Sequence, residues 1–352
     1  KKVTESDPHA RKYLKDAISF RRFMRIFYLL QRLSLIVSYS GLGKNRPIHQ
    51  AAMIGDTDLL KSRLAKGDDV NARGKRGYTP LIIAASYGDQ TLAELLITAG
   101  ADLNAQDNLG IPVLSLAARD GFLFFVKMLI ENGADINFSG TTVGPLIAGA
   151  EHGHEEITEL LINHGADINA KSPNGVTAVM LATQNGHVSI VEMLLANGGN
   201  VNAADNNGFT ALHGAAQNGH QKSVELLIKN GANVDTQVSS GWTPLLLAAK
   251  GGHITIAKIL VDNGANTNAQ SSKGMTALDI AESKGQEQLV GFLSQFDIPE
   301  DDSDSIAFTS PTVKNETGWC KHCGAMVVFE FDGYDDVCPE CGWSKSASGS
   351  SN

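Results

Sequence analysis

Cysteine is nearly absent from this chain of 352 residues: there are four, all between positions 320 and 341. So few cannot staple a polypeptide of this size, which excludes a disulfide framework and points to a reducing compartment with one specialised cysteine site. Charged side chains are scarce as well, at 19 %, where a typical soluble domain has roughly 25 %. Long apolar runs are missing; nowhere do the roughly 18 consecutive apolar residues of a membrane-spanning helix occur. The formal charge of −9 excludes a protein that coats nucleic acid with its whole surface. Apolar residues still make up 42 %, enough for a sizeable core, so global disorder is excluded too.

The average charge hides a split. Residues 1–43 hold nine Lys or Arg against Glu5, Asp7 and Asp16, a net +6, which leaves −15 for the other 309 residues. The chain begins at Lys1 rather than Met, so a preceding segment stays open; the residues present lack the small-residue cleavage pattern of a secretory signal.

Glycine, by contrast, is abundant at 36 residues, and its placement is periodic. Gly77, Gly110, Gly175, Gly208, Gly241 and Gly274 follow at steps of 33, 65, 33, 33 and 33. The long step contains one further unit around Pro145-Leu146, one residue short. Two residues after most of these glycines comes a Thr-Pro-Leu or Thr-Ala-Leu phrase, at Thr79, Thr210, Thr243 and Thr276. Near the end of each unit stands Gly-Ala-Asp/Asn, at Gly100, Gly133, Gly165, Gly231 and Gly264. Threonine is a good helix N-cap, and proline fits the first helical position because its missing N–H has no partner there anyway. Paired alanines such as Ala84-Ala85 and Ala248-Ala249 let helices approach closely, and Gly88, Gly121, Gly153, Gly186, Gly219 and Gly252 end the first helix of each unit. A second helix follows with apolar residues at helical spacing, as in Ile190, Val191 and Leu194.

These phrases, recurring in register over residues 44–297 in about eight units, resemble the ankyrin repeat. Departures occur at Pro112-Val113, which replaces Thr-Pro, and at Gly144-Pro145. The resemblance implies an all-α solenoid that binds a protein partner, through its loop tips and the exposed inner-helix surface, and that carries no catalysis. On this sequence the positions implied are Arg73, Arg76, Tyr78, Phe209 and Trp242 at the tips, with Tyr87, Arg119 and Lys250 near the ends of the first helices. Aromatic side chains and Arg supply the anchors of interfaces. For Phe209 and Trp242 a second reading stays open, in which they only pack one turn against the next.

The four cysteines form two pairs, Cys320-x-x-Cys323 and Cys338-x-x-Cys341, fourteen residues apart. Four thiolates suit one tetrahedral Zn²⁺ and leave no open position for a catalytic water. Between the pairs, Ala325–Phe331 reads as a strand and Asp332-Gly333 as a turn. Residues 319–343 resemble a zinc ribbon, which implies one structural Zn²⁺ per chain. The acidic residues Glu330, Asp332, Asp335, Asp336 and Glu340 disfavour contact with phosphates, although a role alongside nucleic acid or its machinery stays an alternative.

Residues 18–37 read as an amphipathic helix, with Phe20, Phe23, Met24, Phe27, Leu30 and Val37 on one face and Arg21, Arg25 and Arg32 along the opposite edge. A cap over the first repeat is favoured, and a membrane-surface anchor stays open. Residues 298–318 form an acidic linker and 344–352 a Ser/Gly-rich tail. His154, His187, His220 and His253 recur with the repeat, so the pattern itself accounts for them; the metal-like phrase His152-x-His154-Glu155-Glu156 falls in the same register. No nucleophile motif or carboxylate pair stands outside it. The sequence therefore predicts a cytoplasmic, monomeric, non-enzymatic scaffold, with peripheral membrane association as the variant reading.

Overall fold

The chain divides into two units, Lys1–Asp297 and Ile298–Asn352. The computed structural model describes residues 47–137 and 143–296 in full, and the backbone of 316–320, 325–331 and 336–337. The amphipathic stretch 18–37, linker residues 298–315, Asp332-Gly333, the tail 344–352 and three of the four cysteines (Cys323, Cys338 and Cys341) lie outside the described residues.

In the first unit, sixteen α-helices among the described residues pair off as eight hairpins. They run α1 (Pro47–Ile54) and α2 (Thr57–Ala65), α3 (Pro80–Tyr87) and α4 (Gln90–Thr98), α5 (Val113–Arg119) and α6 (Leu123–Glu131), then α7 (Pro145–Glu151) and α8 (Glu155–Asn163). The second half continues with α9 (Ala178–Gln184) and α10 (Val188–Ala196), α11 (Ala211–Asn218) and α12 (Gln221–Lys229), α13 (Pro244–Gly251) and α14 (Ile254–Asp262), and α15 (Ala277–Ser283) and α16 (Glu287–Leu293). Each odd-numbered helix packs mainly on its own hairpin partner and on the odd-numbered helices to either side. The odd helices are apolar nearly all round: Pro80 to Ala85 of α3 and Pro244 to Ala249 of α13 are buried without a break. Even helices bury one stripe, such as Ile190, Val191 and Leu194 of α10. Each buried Leu or Ile contributes about 1.5–3 kcal/mol over exposure, and only the next repeat supplies the cover.

Local chemistry sets the helix ends. The hydroxyls of Thr79, Thr177, Thr243 and Thr276 accept the backbone N–H three residues on at 3.3, 3.4, 3.3 and 3.2 Å. Where the phrase departs, the cap is lost: α5 and α7 follow Pro112 and Gly144 with no side-chain cap. Val113 N–H instead donates across the preceding loop to Ala105 O at 3.1 Å. At the other end of α7, Gly153 takes φ +77°, and a Cβ there would come within 2.6 Å of the His187 ring. Only glycine permits both the backbone angle and that approach. His187 Nε2 then donates to Glu151 O at 3.1 Å. His154, His220 and His253 repeat the bond to Arg119, Gln184 and Gln217 O at 2.9, 3.0 and 3.2 Å. Carbonyl oxygens only accept, so each ring carries its proton on Nε2. These histidines join one repeat to the one before it.

A second ladder runs along the loops. Asn71, Asn104, Asn137, Asn169 and Asn202 accept, on Oδ1, the backbone N–H of Asp102, Asp135, Asp167, Asn200 and Asn233 at 2.7–2.9 Å. Asn169 Nδ2 also donates to Gly198 O at 3.1 Å, a bond shared by Asn71, Asn137 and Asn202 with their own glycines. The last rung differs: Asp235 accepts from Asn266 N–H at 2.8 Å, but a carboxylate has no N–H to return.

In the second unit, strands β1 (Glu316–Cys320), β2 (Ala325–Phe331) and β3 (Asp336–Val337) form an antiparallel sheet in that order, with Cys320 opposite Ala325 and Glu330 opposite Val337. β1 starts at Glu316, inside the stretch assigned to the linker from composition. Among the described residues no helix is long and apolar enough to cross a membrane.

The loop ladder yields a paired test by urea unfolding. Asn169→Ala removes two inter-repeat hydrogen bonds and is expected to cost about 1–2 kcal/mol, whereas Asp235→Asn completes the last rung and gains about 0.5 kcal/mol. A fall in stability for Asp235→Asn would show that the rung does not carry the second bond.

Candidate partner-binding face

Between hairpins the chain runs out to a tip and back, and each tip is fixed from within. Asp107 Oδ1 accepts from Leu109 and Ile111 N–H at 2.8 and 2.9 Å, and Asp205 Oδ1 from Asn207 and Phe209 N–H, both at 2.8 Å. Successive tips are also stitched together. Asn108 N–H donates to Arg76 O at 2.7 Å, Asn206 to Asn174 O at 3.0 Å, Ser239 to Asn207 O at 2.9 Å and Ser272 to Ser240 O at 3.0 Å. Tight turns with their backbone groups satisfied need little further ordering when they meet a ligand.

On this frame the eight positions drawn from the sequence fall into two groups. Arg73, Arg76, Tyr78, Tyr87 and Arg119 belong to repeats two and three. Arg73 and Arg76 are exposed, Tyr78 and Tyr87 half-buried. Arg76 has φ +61°, the left-handed region, and is the only residue other than glycine to do so among the described residues. Arg119 is less available than its position suggests: Nε and Nη2 donate to Asp120 Oδ1 and Oδ2 at 2.7 and 3.0 Å. Those bonds to Asp120 push the guanidinium pKa up against the opposing effect of burial.

The second group is Phe209, Trp242 and Lys250. All three line an open groove of about 400 Å³ between repeats six and seven, together with Asp205, Val238 and Leu247. Lys250 Nζ lies 5.1 Å from the centroid of the Trp242 ring, a cation–π contact. Beneath the groove sits His213, which the sequence reading did not single out. Its Nδ1 accepts the Thr210 N–H at 3.1 Å, its Nε2 donates to Trp242 O at 3.2 Å, and its ring lies 5.2 Å from that of Phe209. Burial lowers its pKa, against the raising effect of the backbone bonds. Its signal in the sequence was the His of a Thr-x-Leu-His phrase, shared only in part by the other units.

Among the described residues, no three His, Cys, Asp or Glu side chains are grouped so as to hold a metal ion. His152 Nδ1 instead bonds Ala148 O at 3.1 Å, and His154 is taken up by Arg119 O. Of the four proposed zinc ligands, only Cys320 is described, as the last residue of β1.

Helix hairpins that each pack on the next define a helical-repeat solenoid. A family model described as Ankyrin repeats (3 copies) matches residues 48–140, 85–172, 146–238 and 230–302, and the chain belongs to the ankyrin-repeat family. A search of curated proteins finds no match.

His213 gives the groove a pH dependence whose sign is fixed. Its folded pKa lies below the unfolded value, so its contribution is complete above about pH 6.5 and declines as pH falls from there towards the folded pKa. His213→Leu, the residue that Leu246 supplies in the same register, is expected to shrink the loss of urea stability between about pH 7.5 and 5.5. An equal loss in variant and parent would exclude His213 as a source.

Proposed function

We propose that this protein is a non-enzymatic scaffold that holds a protein partner on its loop tips and odd-helix ends. Membership of the ankyrin-repeat family supports protein binding as the general role. The observation that carries the finer reading is the groove in which Phe209, Trp242 and Lys250 converge. It is open and apolar-floored, with a cation at its lip, and a single large side chain of a partner fits such a volume. Arg73, Arg76, Tyr78, Tyr87 and Arg119 extend the contact towards the second repeat. Packing one turn against the next is compatible with this role for Phe209 and Trp242, because each is only half-buried.

The second module is a zinc ribbon built on Cys320, Cys323, Cys338 and Cys341. Its support is the two Cys-x-x-Cys pairs together with the antiparallel order β1-β2-β3. Zn²⁺ there would act as a structural cross-link, since four sulfurs close its coordination. Thiolate ligation of this kind belongs to a reducing compartment, which supports a cytoplasmic location.

Affinity capture with the full chain tests the docking face. Trp242→Ala, with its helical circular dichroism unchanged, is expected to lose the proteins that the parent retains, and a hot-spot residue of this kind is worth about 2 kcal/mol or more. Capture of the same proteins in the same yield by both would rule the groove out. Metal analysis tests the ribbon: about one zinc per chain is expected, absent from the Cys320→Ser, Cys323→Ser variant. A chain purified without chelator that holds no zinc would remove the module.

A further inference from the structure

Cations and carboxylates are used differently on the loop side of the array. Asp69, Asp102, Asp135 and Asp167 each accept the backbone N–H two residues on at 2.9 Å. Asp107 and Asp205 accept two such bonds each. An oxygen of each of these carboxylates is already held by N–H dipoles of its own turn. Arg73, Arg76, Lys250 and Lys273 are exposed, and none of them meets a carboxylate within ion-pair distance among the described residues. Arg73 Nη2 donates to Asn108 Oδ1 at 3.4 Å, a neutral acceptor, so among the described residues none of the four cations is neutralised by a carboxylate of its own fold. On the odd helices, Glu151 and Glu282 are the carboxylates outside a cap or an ion pair with Lys or Arg among the described residues.

Two of these cations are tied to the fold, Lys250 by its side chain and Arg76 by its backbone. Lys250 is seated over the Trp242 ring rather than on an acidic neighbour. Arg76 occupies a left-handed turn position that glycine or asparagine would fill with less strain, fixed there by the bond from Asn108 N–H to its carbonyl. Strain of this kind persists only where the surroundings over-determine it.

Resting on the docking face described above, we infer that the partner segment is extended and acidic. It seats one large apolar side chain in the groove beside Trp242, with carboxylates on Lys250 and Lys273 at one end and on Arg73 and Arg76 at the other. Arg76 and Lys273 are six repeats apart, about 48–60 Å at a helix spacing of about 8–10 Å. An extended chain covers that in about 15–18 residues.

The test is selection from a displayed library of random peptides about 20 residues long, long enough to span the face, on the full-length protein. Enriched peptides are expected to be net negative and to share an aromatic residue or Leu. Their affinity should drop about tenfold or more in the Arg76→Glu, Lys250→Glu variant with unchanged circular dichroism, and should weaken as salt is raised. Neutral or basic winners, or acidic winners bound equally by that variant, would overturn the acidic preference. Trp242→Ala then separates the two levels. If it still abolishes binding of those winners, the face stands and only its charge preference falls; if it leaves their binding intact, the face falls as well. A selection without any enriched peptide would overturn the extended-segment inference.

Discussion

Every repeat in this array has an odd helix that water would face on most sides if it stood alone. Six consecutive buried residues on α3 and six on α13 cannot be covered by one partner helix. Cover comes from the odd helices before and after, so the free energy of the fold lies in nearest-neighbour interfaces more than in any hairpin. The polar residues obey the same constraint. The recurrent histidines bond a carbonyl 35 or 36 residues back, and the loop asparagines an N–H about 31 residues ahead. What repeats in the sequence is chiefly what one unit owes its neighbour.

That explains what could be read from the sequence. Helix starts, helix ends and buried stripes follow from short-range rules, so Thr79, Gly153 and the alanine pairs announce themselves. The loop asparagines could not be read as a ladder, because their partners lie in the next unit and no local preference names them. His213 was obscure for the same reason: its donor role is set by the carbonyl of Trp242, 29 residues on. The left-handed angle of Arg76 had no signal at all, since arginine is a poor choice for that region. Arg119 was legible as a surface position, yet its engagement depends on the rotamer that brings it onto Asp120.

Where the units agree, the residues hold the stack; where they differ, the face acquires its character. One register position shows this directly. Tyr78, Ile111, Val176, Phe209, Trp242 and Met275 each follow the tip glycine, and all are half-buried against the stack. Any apolar side chain meets that packing need. Only three of the six are aromatic, and two of those stand in consecutive repeats, where they wall the groove that Lys250 overhangs. Packing and recognition are therefore two uses of one position rather than rivals for it.

The groove and the core are also mechanically joined. Phe209 lies against His213, and His213 holds the carbonyl of Trp242, so both aromatic walls rest on one buried imidazole. Protonating that ring would remove the acceptor that Thr210 N–H uses at the start of α11, and would set a charge under the groove floor. A docking surface carried on free loops would be insulated from such an event. Here the tips are bonded to one another and to the stack, which lowers the entropy lost on binding and, by the same bonds, ties the shape of the face to the integrity of the repeats beneath it.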